Sequence, residues 1–366
     1  MQRNYSEKLK KLPITLIILI SVICNIGFVV LYSASDSNIQ PWVYKQMMIF
    51  FLFIPIVIII AIIDIKYIFK FSYIFYIAVI ILLVSVELFG SIAMGAKRWI
   101  DLGVIRLQPS EPTKLAIVLM LARYFHQLKT EDFTRFYKIL LPIIGVIIPV
   151  LLIIKEPDLG TGVITIIIAS IIFLAVGFRV RNFMIIGIIV VTCVPVIWQV
   201  MHDYQRKRVM VFLDPEKDPL GAGYNIIQSK IAIGSGGLWG KGLTKGSQSH
   251  LNFLPEHQTD FIFATFAEEF GFAGSLFLLI LYSAIIVISL MIAMNCRTIF
   301  SKLMVIGITS ILFSHVFINI AMVMGLLPVV GVPLPFISYG GTMMVSMLIG
   351  FGLVMNAQIH QHSSSF

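Results

Sequence analysis

Ten apolar runs of near-bilayer length recur along this chain of 366 residues, at about 13–32, 46–63, 71–89, 108–125, 139–154, 160–178, 182–201, 261–294, 303–325 and 341–358. A helix that crosses a bilayer needs roughly 20 mostly apolar residues, so each run is a candidate span. The eighth run is long enough to tilt or to project beyond the bilayer. Composition agrees: 58% of residues are hydrophobic and only 12% are charged. A soluble domain is about half apolar and about a quarter charged. One aqueous core cannot hide this much apolar surface, and the expected architecture is an all-α, polytopic membrane bundle.

The basic residues fix an orientation. The formal net charge is +9, but the cations sit largely in short links between apolar runs. That placement points to topology and anionic membrane lipids, and away from nucleic acid. Arg3, Lys8, Lys10 and Lys11 precede the first run, and alternate later links carry Lys66 and Lys70, then Lys129, Arg135 and Lys138, then Arg179 and Arg181, then Arg297 and Lys302. The positive-inside rule places both termini in the cytoplasm, although Lys97, Arg98 and Arg106 cluster in an opposite link. The first run reads as an uncleaved signal and anchor. The chain reads as a single transmembrane domain over 1–366, with one long extracytoplasmic loop over 202–260. Its cysteines, Cys24, Cys193 and Cys296, lie far apart and suggest no metal site. The histidines also show no ligand spacing, and His315 reads as a buried neutral ring.

Long loops in compact membrane proteins are usually functional. This one opens with Arg206, Lys207 and Arg208 and continues through the turn-rich 214–219. Tyr224, Ile227 and Ile231 then fall on one helical face, which predicts a short amphipathic helix over 224–233 on the outer leaflet. The glycines of 234–242 fit either flexible turns or backbone amides cradling a phosphate. The loop ends at Asp260, where polar residues meet the eighth run. Asp260 has two equal readings, a helix N-cap or a catalytic carboxylate, and Thr259 competes for the cap.

Charges inside a bilayer are costly and turn toward the protein interior. Glu111 and Lys114 share a helical face, and Glu268 and Glu269 lie about two turns beyond Asp260. We read these four as structural or allosteric charges, for example with Lys114 paired to Glu268 or Glu269. Lys155, Glu156 and Asp158 flank Pro157 at the outer junction of runs five and six.

Several segments are recognisable together: 98–103 (Arg98-Trp99-Ile100-Asp101), 108–111, Lys155-Glu156-Pro157-Asp158-Leu159-Gly160-Thr161, 212–215, 228–236, 254–261 and Pro335-Phe336-Ile337-Ser338-Tyr339-Gly340-Gly341. In this order they resemble the SEDS family (shape, elongation, division and sporulation), and the long loop resembles its RodA branch rather than its FtsW branch. The resemblance implies a ten-helix fold in the bacterial cytoplasmic (inner) membrane. It implies a peptidoglycan glycosyltransferase that polymerises lipid II during cell elongation. It also implies a class B penicillin-binding protein as transpeptidase partner, other elongation machinery as partners, and Asp260 as the essential catalytic residue. His257 departs from the family pattern, in which a histidine directly precedes the threonine.

Glycan polymerisation needs a base for the attacking hydroxyl and positive charge for the departing pyrophosphate. Asp260 is the candidate base. Arg98, Lys155, Arg206 and Arg208, with Asp158 beside them, are the candidate substrate and pyrophosphate contacts. A divalent cation, Mg2+ or Mn2+, is a further source of charge beside them. The rival function is a lipid II flippase, which should concentrate polar residues near the bilayer midplane, whereas these motifs crowd one outer face.

Overall fold

The computed structural model describes residues 5–362 except 36–37, 94–95, 102–105, 129–135, 179–180, 182–183, 186, 189–191, 193–197, 200, 202, 219–220 and 248–255. Its helices are α1 (Tyr5–Lys10), α2 (Ile14–Ala34), α3 (Trp42–Ile62), α4 (Ile65–Phe89), α5 (Ser110–Gln127), α6 (Phe136–Lys155), α7 (Leu159–Val176), α8 (Asp203–Leu213), α9 (Ala222–Ser235), α10 (Ile262–Asn295), α11 (Ile299–Val323) and α12 (Gly341–Ile359). Nine of the ten apolar runs coincide with helices, and the seventh, 182–201, lies mostly outside the described residues. Among the described residues, eight helices are long and apolar enough to cross a membrane. The additional helix, α5, falls short because it carries Glu111, Lys114 and Arg123. Its position explains how it tolerates them: α5 packs between α4, α7 and α11, so most of its length is buried in protein rather than lipid. Lipid-facing α3 and α4 instead expose Phe51, Leu52, Ile74 and Ile81.

Side-chain amides tie the helix ends together. Asn356 of α12 donates to the carbonyls of Ile60 (2.8 Å), Ala61 (3.2 Å) and Ile63 (2.6 Å), satisfying acceptors that the end of α3 leaves open. Lys8 reaches the Ile62 carbonyl at 2.9 Å. The Arg297 amide donates to the Gln361 carbonyl at 3.2 Å. Both described chain ends therefore share one end of the bundle.

At the opposite end the link after α4 departs from an all-helical reading. It forms a small antiparallel sheet, β1 (Ser91–Ala93), β2 (Ala96–Asp101) and β3 (Arg106–Leu107), with Ile100 opposite Leu107 and Asp101 opposite Arg106. Outside the bilayer core, a short link satisfies its backbone by pairing strands.

The long loop is also structured. The buried residues of α9 are Gly223, Ile226, Ser229 and Ala232, followed by its C-cap Gly236; Gly223 faces the Pro215 carbonyl, Gly236 packs against Ala267 of α10, and Ser229 donates to the Val323 carbonyl at 2.8 Å. The expected helix is present; of its Tyr224–Ile227–Ile231 face, Ile231 is exposed and Tyr224 and Ile227 are half-buried. The glycine run that follows resolves to a structural role. Helix α10 breaks at Gly271 (φ 66°, ψ −163°), which frees backbone groups on both sides. The strip 237–242 satisfies them: the amides of Phe272 and Ala273 donate to the carbonyls of Gly237 (2.9 Å) and Leu238 (3.0 Å), while those of Lys241 and Gly242 donate to Glu268 and Glu269 (both 3.0 Å). A Cβ at Gly271 would lie 2.3 Å from the Gly240 nitrogen, so this approach requires glycine.

Candidate active site

Asp260 occupies a turn, 256–261, that enters α10. The turn is held from three sides. His257 Nε2 lies 2.9 Å from the Ala34 carbonyl at the end of α2. From the 328–340 segment, the Tyr339 amide donates to the Gln258 carbonyl (2.9 Å) and the Ser338 hydroxyl to the Thr259 carbonyl (2.7 Å). From α11, Asn319 Nδ2 donates both to the Asp260 carbonyl (2.8 Å) and to the Val332 carbonyl (2.7 Å). Backbone contacts thus fix residue 260 and leave its side chain unencumbered.

The carboxylate does not cap the helix. Phe261 takes the N-cap position and no side-chain capping bond is present. Thr259 is no cap either, since its hydroxyl donates to the Glu256 carboxylate at 2.8 Å. Instead Asp260 Oδ2 faces Gly331 (φ 74°), where a Cβ would lie 3.3 Å from that oxygen. A side chain at 331 would crowd the carboxylate and strain its own backbone. The protein packed around Asp260 pushes its carboxyl up to about 6, with Glu256 adding to the rise, Arg208 opposing it, Asp158 raising it and Arg98 lowering it.

Those neighbours sort the sequence candidates. Arg98, Asp158 and Arg208 act electrostatically on Asp260. Two of them also have structural work. Asp158 (4% exposed) caps α7 by accepting from the Thr161 amide at 3.2 Å, and it accepts from Gln108 Nε2 at 3.3 Å. Arg98, presented by β2, donates to the backbone carbonyls of Glu156 (2.9 Å) and Pro157. Gly160 brings this turn against the Val330 carbonyl, 2.7 Å from where its Cβ would be, and so beside the Asp260 cradle. Lys155 and Arg206 are engaged elsewhere. Lys155 pairs with Glu87 at an exposed position. Arg206 donates to the carbonyls of Trp198 (2.9 Å) and Gln199 (2.7 Å).

The buried charges pair differently from the example drawn from sequence. Lys114 bonds Glu111 at 2.9 Å and His315 Nε2 at 2.7 Å, and His315 Nδ1 lies 3.3 Å from the Pro333 carbonyl. An ammonium only donates, so this contact makes Nε2 an acceptor and Nδ1 the protonated nitrogen. His315 is thus neutral but not alone. Glu268 and Glu269 are out of this cluster because they sit at the α10 break. Glu268 takes Lys241 (2.6 Å) and the Ser247 amide (2.9 Å), and Glu269 takes the Thr244 amide (3.1 Å) and the Ser33 hydroxyl. Among the described residues no three His, Cys, Asp or Glu side chains converge on a metal position.

Sequence reasoning gave no role at the site to Asn319, Gly331 or Ser338, although Ser338 stood in the recognisable 335–341 segment. Asn319 carried a readable signal, a lone amide within an apolar run, where polar groups find specific partners. Ser338 and Gly331 lie 78 and 71 residues from Asp260 in sequence, and only the tertiary fold brings them to it.

The model of the FtsW/RodA/SpoVE family, described as cell cycle proteins, matches residues 13–363. The chain belongs to this family. An FtsW/RodA/SpoVE relative, peptidoglycan glycosyltransferase MrdB of Escherichia coli K12, is 44% identical over 361 residues, 98% of this chain and 96% of that protein. Stage V sporulation protein E of Bacillus subtilis is 33% identical, covering 93% and 95%. Among solved structures, a chain from a peptidoglycan synthase complex that coordinates polymerisation and crosslinking superposes with a TM-score of 0.84 at 29% identity, covering 96% of this chain and 99% of that one. Rod shape determining protein RodA of Thermus thermophilus gives 0.73 at 25% identity, covering 96% and 98%. The family's membrane fold and the multi-pass membrane location extend over nearly the whole chain.

Proposed function

We propose that this chain is a peptidoglycan glycosyltransferase that polymerises lipid II during cell elongation, with Asp260 as general base. The observation that carries this reading is a carboxylate free of capping duty, held by its backbone in a cradle, raised to about 6 and flanked by Arg98 and Arg208. A base in that range is ionised at neutral pH yet basic enough to accept a hydroxyl proton as the bond to the anomeric carbon forms. The proton leaves the acceptor 4-hydroxyl for Asp260, its oxygen bonds the anomeric carbon, and the bond to the lipid pyrophosphate breaks. Arg208 and Arg98 provide positive potential for the departing pyrophosphate. A divalent cation, Mg2+ or Mn2+, would add charge for the same leaving group.

The end of the bundle that carries Asp260 is read as extracytoplasmic and the end with the termini as cytoplasmic. The partner is read as a class B penicillin-binding protein, in keeping with the structural relative from a complex that joins polymerisation to crosslinking. The test is polymerisation of labelled lipid II by the purified protein, alone and with that transpeptidase. Glycan product that disappears in Asp260→Asn supports the assignment. Lipid II translocation by a protein that makes no glycan would establish the flippase reading instead.

A further inference from the structure

On the lipid-facing side of the sheet-bearing end, a cavity of about 130 Å3 lies between the ends of α4 and α6 and strand β2. Leu83 and Leu152 form its apolar wall, and Glu87, Lys97, Lys155 and Glu156 bring charge to it. Glu156 is the unusual member. It is 7% exposed, and neither carboxylate oxygen has a hydrogen-bond partner. A buried carboxylate without a donor is costly and calls for an explanation. The nearby cations bond other groups. Arg98 donates through Nε and Nη2 to the Glu156 and Pro157 carbonyls, Lys155 pairs with the Glu87 carboxylate, and Lys97 Nζ donates to the carbonyls of Glu87 (2.7 Å) and Leu88 (3.4 Å). A compact cation with N–H donors would satisfy both oxygens. Next in sequence to the lining Glu87 and Leu152, the apolar Leu88, Phe89 and Leu151 are exposed.

We propose that this cavity binds the headgroup of an aminophospholipid such as phosphatidylethanolamine, with the lipid ammonium on Glu156 and its phosphate on Lys155 and Lys97. The ammonium supplies the donors that Glu156 lacks. Lys155 and Lys97 each keep ammonium protons beyond those already used, and these face an anion at the rim. The lipid tails lie along Leu88, Phe89 and Leu151. Selectivity follows from chemistry: phosphatidylglycerol has no cation, and the trimethylammonium of phosphatidylcholine has no N–H and a larger radius.

Protonation supplies an independent handle. Burial pushes Glu156 up to about 8, with Asp158 raising it further, Arg98 opposing and Glu87 adding to the rise. Lys97 and Lys155 line the same space. An ammonium selects the ionised carboxylate, so binding releases a proton near neutral pH and tightens as pH rises toward 8.

Native mass spectrometry of the full chain, delipidated and titrated with lipids of matched acyl chains, tests the proposal. Phosphatidylethanolamine is expected to be retained over phosphatidylglycerol and phosphatidylcholine, more strongly at pH 8.5 than at pH 6.5. Glu156→Gln keeps the side-chain shape and should lower that preference about tenfold or more, the scale of a lost charge-assisted hydrogen bond. Leu152→Trp should fill the cavity and reduce retention as well. The lipid-specific rise in thermal stability should vanish with Glu156→Gln, which provides a second readout on folded protein. Equal retention of the three lipids, or an undiminished preference in Glu156→Gln, would overturn the site. Soluble phosphoethanolamine competing as well as the lipid would overturn the lipid assignment.

Discussion

Replacing Asn319 by leucine removes one amide from the protein interior and unties Asp260 from α11. Asn319 is fully buried, and its Nδ2 makes two bonds, to the carbonyls of Asp260 (2.8 Å) and Val332 (2.7 Å). Leucine has a similar size, so the main loss is two donors. A buried acceptor left unsatisfied costs roughly 1–3 kcal/mol, so two cost about 2–6 kcal/mol. Removing Oδ1, which has no partner of its own, returns a part of this. The expected result is a lower unfolding temperature of the detergent-solubilised protein and a larger proportional fall in the glycan polymerisation rate, because the released carbonyl belongs to the base. Asn319→Asp sharpens the test. Aspartate has nearly the same shape but would turn a carboxylate toward two carbonyls, so it should be worse than leucine on both measures. If the leucine variant melts and polymerises like the wild type, or the aspartate variant outperforms it, the anchoring role is refuted.

Asp260→Asn should keep its backbone bonds and its fold while lowering polymerisation by about 10²–10⁴-fold, the usual contribution of a general base; a near-normal rate from folded protein would remove Asp260 from that role. As the base works ionised, the wild-type rate should fall as pH drops through about 6 and level off above it, and a pH–rate profile flat across that window would contradict the assignment. Lys114→Met strands the buried Glu111 carboxylate and should cost roughly 3–5 kcal/mol, with activity lost alongside stability; adding Glu111→Gln should recover much of it, whereas additive losses in thermal denaturation would show that the pair is uncoupled. Lys245→Cys and Lys302→Cys, both at exposed positions, should react with impermeant maleimide from opposite faces of the membrane, and same-side labelling would overturn the topology.

The helical frame was legible because bilayer length and apolarity are local properties of a sequence, whereas the position of Asp260 alone left cap and catalyst equal, and the structure removes the cap. Other features were illegible for physical reasons. The partner of Lys114 was ambiguous, since spacing showed that Glu111 shares its face but could not show that His315 arrives from α11. The glycines of 234–242 looked equally suited to a phosphate or to a turn, because the helix break that uses them lies at Gly271, far along the chain. The buried side of α9 was hidden by its composition: Tyr224, Ile227 and Ile231 mark one face, but the face that packs joins Ile226 to the smaller Gly223, Ser229 and Ala232, which permit close packing. The sheet at 91–107 arises from short strands that no hydropathy pattern marks.

The break in α10 and the strip that fills it have a mechanical consequence. Four backbone hydrogen bonds make 237–242 and 268–273 one cross-braced unit, so neither can slide without breaking bonds to the other. A single inserted residue between Leu238 and Lys241 would slip this brace by one register and strand carbonyls and amides at the break, whereas the same insertion at Leu243 would leave it seated. Leu238 and Trp239, 67% and 83% exposed, project from the brace like the two ends of a handle. Any load applied to that handle is carried directly by the short helical segment that begins beside Asp260.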